Sequence, residues 1–125
     1  MRLLLDTNVL LWAMAGDARV DHLRERLLDE DNEVVVSVAS YWEVAIKAGL
    51  GKLDVDVGEL CRAVRLSGFV ELPVLGAHTE QLAGLPAIHR DPFDRLLVAQ
   101  AQAEPLRLLT ANRLLAGYGA SVEVV

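Results

Sequence analysis

Three carboxylates stand where a chain of this pattern could gather them: Asp6 after the apolar run Leu3-Leu4-Leu5, Glu43 in Ser40-Tyr41-Trp42-Glu43, and Asp94 in Asp91-Pro92-Phe93-Asp94. Two carboxylates about 4 Å apart repel by roughly 4 kcal/mol at an effective dielectric of about 20. Three in one pocket therefore call for a shared proton or a bound cation. Oxygen donors without Cys or His favour a hard ion, Mg²⁺ or Mn²⁺, which keeps several waters and pairs with phosphate. Such a centre activates water and steadies the leaving oxygen of a phosphodiester. Hydrolysis of a nucleic-acid backbone is the reaction these residues suggest. Plainer readings stand beside it: Asp6 as the cap of the next helix, and Asp94 as a favourable charge near a helix N-terminus, worth about 0.3 to 1 kcal/mol.

The elements that must position these acids follow from the pattern of apolar residues. Leu3 to Leu5 lack polar alternation and read as a strand buried on both faces, which places Asp6 at its carboxyl end, where open α/β sheets bind ligands. A helix over Val9 to Ala15 closes at Gly16-Asp17, and Asp21 to Asp31 reads as a second helix with Leu23, Leu27 and Leu28 on one face. After a strand at Val34 to Val36, Ser40 is placed to cap the helix carrying Glu43, three residues on as in a capping box, with Gly49 and Gly51 as its stop. Asp56 to Leu66 gives another helix, Phe69 to Leu72 a short strand, and Pro73 a break. Helices follow at Ala77 to Ala83 and Pro92 to Ala103, the latter with Asp91 as cap and Pro92 in the first turn. Leu106 to Thr110 is a strand, and Val122 to Val125 adds one at an edge. Strands alternating with helices predict one three-layer α/β/α domain over residues 1–125, with a central, mainly parallel sheet.

Composition bounds the function. The 125 residues are 53% hydrophobic and 24% charged, which excludes disordered and fibrous classes. No apolar run approaches the roughly 18 residues of a membrane span, and Met1-Arg2 leads into a strand rather than a signal segment; a soluble, cytoplasmic protein is the expectation. The single Cys61 leaves no intramolecular disulfide or Cys-based zinc site and reads as core packing. A net charge of −6 argues against coating nucleic acid through bulk charge, whereas Lys47, Lys52, Arg90, Arg95 and Arg113 lie near the candidate acids and permit a basic rim.

The segments Leu3 to Asn8, Ser40 to Lys47 with Gly51-Lys52-Leu53, and His89 to Ala101 together resemble the PIN-domain family, and within it the VapC-type toxin ribonucleases of toxin–antitoxin pairs. The resemblance covers nearly the whole chain. It implies a Mg²⁺-dependent endoribonuclease, with Mn²⁺ as a substitute, whose metal ligands match Asp6, Glu43 and Asp94. It also implies a homodimer, a cognate antitoxin whose tail covers the acidic pocket, and an RNA substrate. Members commonly carry a fourth acid in a Thr-x-Asp context, where this chain reads Thr110-Ala111-Asn112. Asn112 can ligate through its amide oxygen but brings no charge, so one well-held ion is expected, with a second weakened.

Around that centre, Asp91 is a cap that could also support the site from the outer shell, and Thr7 and Asn8 could orient Asp6 or complete a helical first turn. Arg90, Arg95 and Arg113 are candidates for phosphate contacts. His89 has no partner in the sequence that marks it as a general base, and His22 and His78 are expected at the surface. Trp12 and Trp42 are expected in core or partner-interface packing, with base stacking as the alternative. Two other functions compete with the nuclease: a catalytically silent RNA- or protein-binding module, which Asn112 favours, and a phosphohydrolase with Asp6 as nucleophile. The latter usually needs a second Asp where Asn8 stands.

Overall fold

In a computed structural model, which describes all 125 residues, Leu3, Leu4 and Leu5 have no exposed surface because their strand is the middle one of the sheet. Strands β1 (Arg2–Leu5), β2 (Glu33–Ser37), β3 (Val70–Leu72), β4 (Arg107–Thr110) and β5 (Val122–Val124) form a single sheet in the order β3-β2-β1-β4-β5. Every neighbouring pair is parallel; Leu4 is flanked by Val35 on one side and Leu108 on the other. Side chains alternate faces along a strand, so the sheet divides two cores. Leu3, Leu5, Val34, Val36 and Leu109 pack on one face with Val9, Leu10, Val44, Leu60 and Val64. Leu4, Val35 and Leu108 pack on the other with Leu97, Val98, Ala101, Leu115 and Tyr118. The three-layer α/β/α arrangement expected from the alternation is thus present.

The helices are α1 (Thr7–Ala15), α2 (Arg24–Leu28), α3 (Val38–Gly49), α4 (Val57–Leu66), α5 (Gly76–Ala83) and α6 (Pro92–Ala103), with 3-10 turns at Ala18–Leu23 and Arg113–Tyr118. Gly16 ends α1 in the left-handed region at φ 65°, a conformation a Cβ would strain. Asp56 caps α4, and Asp91 caps α6 by accepting from the backbone N–H groups of Phe93 and Asp94. None of the helices is long and apolar enough to cross a membrane.

Two expectations about local structure are corrected. The segment from Asp21 to Asp31 is not one amphipathic helix: a 3-10 turn ends at Leu23, α2 spans only Arg24–Leu28, and Leu28 is exposed while Leu23 is buried. A 3-10 turn winds at about three residues per turn rather than 3.6, so the three leucines do not keep a common face. The cap of α3 is Ser37, whose hydroxyl accepts from the Ala39 N–H, rather than Ser40. Ser40 lies in the first turn of the helix, fully buried, and no capping box links it to Glu43.

The strand order places the site. The chain runs outward from β1 to β2 and β3, then returns to put β4 on the opposite side of β1, so the direction of winding reverses between β1 and β4. Beyond the carboxyl ends of strands at such a reversal the following segments splay apart and leave a crevice. Asp6 follows β1 and Asn112 follows β4 at this edge.

Candidate active site

Asp6 is held from three directions. Its backbone N–H donates to the Leu109 carbonyl at 3.0 Å, extending the β1–β4 ladder by one residue. Carboxylate Oδ1 accepts from the Val9 N–H at 2.8 Å, and Oδ2 accepts from the Thr110 hydroxyl at 2.5 Å. The cap expected of Asp6 is present, in a side chain that also sits at the carboxyl end of the central strand. Burial lifts its carboxyl to about 6; the Thr110 and Val9 hydrogen bonds oppose that rise, and the charges of Asp94 and Glu43 add to it. Those two couplings show that the three acids share one electrostatic neighbourhood.

Glu43 reaches the same region from α3 and is only 5% exposed. Its Oε2 accepts from the Lys47 ammonium at 2.7 Å, one helical turn on, while Oε1 is buried with no partner. A bare, buried carboxylate oxygen is costly unless a positive or donating group completes it. Asp94 projects from the first turn of α6; burial raises its carboxyl, and the charges of Asp91 and Glu43 raise it further, against the pull of His89. The Lys47 ammonium is held charged mainly by its Glu43 bond, with Asp91 and Asp94 contributing.

Supporting residues knit these elements together. Thr7 is buried and donates from its hydroxyl to Ser40 Oγ at 3.0 Å, tying the start of α1 to α3, whereas Asn8 is exposed. Asn112 donates its backbone N–H to Thr110 Oγ1 at 3.0 Å, and its side-chain Oδ1 accepts from the Leu114 N–H at 3.1 Å. The amide oxygen expected to face an ion is therefore occupied as a cap. Asn112 Nδ2 instead lies 3.3 Å from His89 Nε2, and that nitrogen is 3.1 Å from Asp94 Oδ2. Arg90 and Arg113 are exposed, while Arg95 turns toward the preceding loop, with Nη2 3.4 Å from the Leu85 carbonyl.

Several placements were not foreseen. His78 is fully buried rather than at the surface. Trp42 is 60% exposed and so not in the core, its ring meeting Phe93 edge-on at 5.2 Å; Trp12 packs against the core beneath the Arg19 guanidinium, as expected. Sequence reasoning missed Thr110 as the partner of Asp6 and Lys47 as the partner of Glu43. The second was available from their i,i+4 spacing on a helix.

The donor set suits a divalent ion that keeps part of its water. No three His, Cys, Asp or Glu side chains converge closely enough to cage an ion unaided. Mg²⁺ is seldom caged by protein alone; it is bound by one or two carboxylates plus water and phosphate. The bare Glu43 Oε1 and the two carboxyls raised by burial are the features a cation would relieve. A separate cleft of about 360 Å³, lined by residues including Ala13, Met14, Val20, Leu27 and Phe69, contains none of these acids.

Comparison with known proteins identifies the family and the fold. Residues 3–119 match the PIN domain. Among solved structures, DNA-bound VapBC from Salmonella typhimurium superposes with a TM-score of 0.74 at 18% identity, covering 99% of this chain and 98% of the other. VapBC2 from Rickettsia felis, bound to a DNA fragment from its promoter, gives 0.73 at 18% identity, covering 100% and 98%. A toxin–antitoxin complex from Klebsiella pneumoniae gives 0.67 at 22% identity, covering 98% and 96%. Such likeness at low identity speaks for the fold. No curated protein matches the sequence.

Proposed function

This chain belongs to the PIN-domain family, and from that premise we propose that it is a divalent-metal-dependent endoribonuclease, the toxin of a toxin–antitoxin pair. The observation that carries the proposal is the convergence of Asp6, Glu43 and Asp94 beyond the carboxyl ends of the central strands, with Glu43 Oε1 buried and bare. Asp6, Glu43 and Asp94 would hold Mg²⁺ or Mn²⁺, which supplies positive charge to the scissile phosphate and makes water a better nucleophile. Thr110 and the Val9 N–H fix the aim of Asp6, and Lys47 holds one oxygen of Glu43. Arg90 and Arg113 are free to meet RNA phosphates at the rim. Both oxygens of Asp6 accept hydrogen bonds, which suits a fixed ligand better than an attacking nucleophile and disfavours the phosphohydrolase reading.

The partners proposed are a cognate antitoxin, an RNA substrate and a second copy of the chain. They rest on the family resemblance and on the solved relatives being toxin–antitoxin complexes. The test is direct: protein stripped of any partner and given Mg²⁺ or Mn²⁺ should cut single-stranded RNA, and Asp6→Ala should not. Equal cleavage by both proteins rejects the assignment. The engaged amide of Asn112 favours a second reading, a silent binding module. Calorimetric titration with Mn²⁺ separates the two, because a silent module would show no heat that depends on Asp94.

A further inference from the structure

We propose that Trp42 is a stacking platform for RNA: its ring takes the base of a nucleotide next to the scissile bond and so sets the phosphate over Asp6, Glu43 and Asp94. The inference rests on the nuclease reading above and adds to it a residue that binds and positions the substrate.

Trp42 precedes Glu43 on α3, and Phe93 precedes Asp94 on α6. The Cα of each aromatic is thus about 3.8 Å from the Cα of an acid of the site. The two rings meet edge-on at 5.2 Å, an arrangement that aromatic pairs prefer, and so join the two helices beside the acids they carry. Phe93 is itself fixed, because its backbone N–H donates to Asp91 Oδ1 at 2.9 Å in the first turn of α6. Helix α3 begins where β2 ends, and α6 runs back to the start of β4, so both aromatics lie near the carboxyl edge of the sheet, where the crevice opens.

The contact with Phe93 leaves Trp42 60% exposed, in a chain whose other tryptophan packs against the core. Covering a large ring is favourable, so an open tryptophan braced at the rim of a site calls for an occupant. Two occupants suit an aromatic ring here: a base, or the surface of a second copy. Val38 and Ile46, one turn to either side of Trp42 on α3, are each 39% exposed. Charged residues are depleted at the core of protein interfaces, however, and lysine especially so. The exposed cations Lys47 and Arg90 stand close by, five residues after Trp42 and three before Phe93. Exposed aromatics beside cations are the equipment of single-strand binding, in which bases stack on rings while cations meet the backbone. A base inside a duplex has no free face, so such a platform selects unpaired RNA.

The test uses the full chain, freed of any partner, and short unpaired oligoribonucleotides. With Mg²⁺, Trp42→Ala should raise KM about 5- to 150-fold, the worth of one base stacked on an aromatic, with kcat falling less; Trp42→Phe should restore most of the loss. With EDTA, which holds cleavage off, the same RNA should quench wild-type fluorescence, while Trp42→Phe, left with Trp12, should not respond. Circular dichroism checks that the variants fold; if Trp42→Ala does not, the quenching comparison with Trp42→Phe decides alone. Cleavage by the wild type with KM unchanged in Trp42→Ala overturns the platform and leaves the nuclease reading standing. A KM that rises only because Trp42→Ala no longer self-associates, as read by light scattering, does the same and assigns this face of α3 to a second copy. Quenching without cleavage rejects the nuclease and keeps Trp42 as an RNA contact, and the absence of both overturns both.

Discussion

At the C-terminal end of α6, His78 is fully buried with both ring nitrogens engaged: Nδ1 accepts from the Leu75 N–H at 2.9 Å, and Nε2 lies 2.6 Å from Glu104 Oε2. At the N-terminal end of the same helix, Asp94 meets Asp91, Glu43 and Asp6 through charges of one sign, with His89 beside it. Both ends leave an acceptor bare. At the C-terminal end it is Gln100 Oε1, a neutral amide whose Nε2 still reaches the Pro73 carbonyl at 3.3 Å; at the other it is a carboxylate oxygen of Glu43. A buried neutral acceptor without a partner costs about 1 to 3 kcal/mol, and a charged one costs more. An excess of like charge, rather than buried polarity as such, therefore distinguishes the acidic end of α6 from the end that fastens α5 to α6.

The sharpest way to break this contrast is Asp6→Asn. The amide keeps an oxygen for the Val9 N–H and removes a charge from the cluster. RNA cleavage should fall by about 10²- to 10³-fold or more, while the melting temperature of metal-free protein holds or rises. A clear loss of stability would mean that the acids at this end are structural after all.

Next in size is the response to pH. Asp6 titrates near 6 in the folded chain against 3.8 for the free side chain, so between those values the folded state binds more protons than the unfolded one. Metal-free stability should therefore fall as pH rises from about 4 to about 6, by roughly 3 kcal/mol. The raised carboxyl of Asp94 acts in the same direction. Mg²⁺ favours the ionised acids, so its stabilising effect should grow across the same window. Urea midpoints with EDTA and with Mg²⁺ at each pH check this.

His78→Ala should do the reverse of Asp6→Asn. It opens a cavity and strands Glu104, costing about 2 to 4 kcal/mol in urea unfolding, with Mn²⁺ affinity of the folded fraction unchanged. Smallest is Lys47→Met. Lys47 is the only partner of Glu43 Oε2, which is buried, so its loss should lower metal-free stability by about 1 to 3 kcal/mol, as read from the same melts.

What could be read in advance depended on how local the determining contacts were. Asp6 was legible because an apolar run ending in a carboxylate is a local signal, and Asp91-Pro92 specified the start of α6 in the same way. Ser40 misled because Ser-x-x-Glu fits a capping box in any register, while the true cap, Ser37, was settled by where β2 ended. His78 read as a surface residue because its partner Glu104 is 26 residues away, and Thr110 passed unnoticed because Asp6 is 104 residues away. The face lost at Leu28 came from a change of helical pitch, which no apolar count over Asp21 to Asp31 could register.

The 104-residue gap between Asp6 and Thr110 also has a consequence in time. A ribosome adds about 5 to 20 residues per second, so a growing chain carries Asp6 for roughly 5 to 20 s before its hydrogen-bond donor has been made. Through that interval β4 cannot lie beside β1, and Asp94 is itself made only late in it. If the chain is the RNA-cutting enzyme proposed above, this order of synthesis delays assembly of its acidic site until most of the chain has been made.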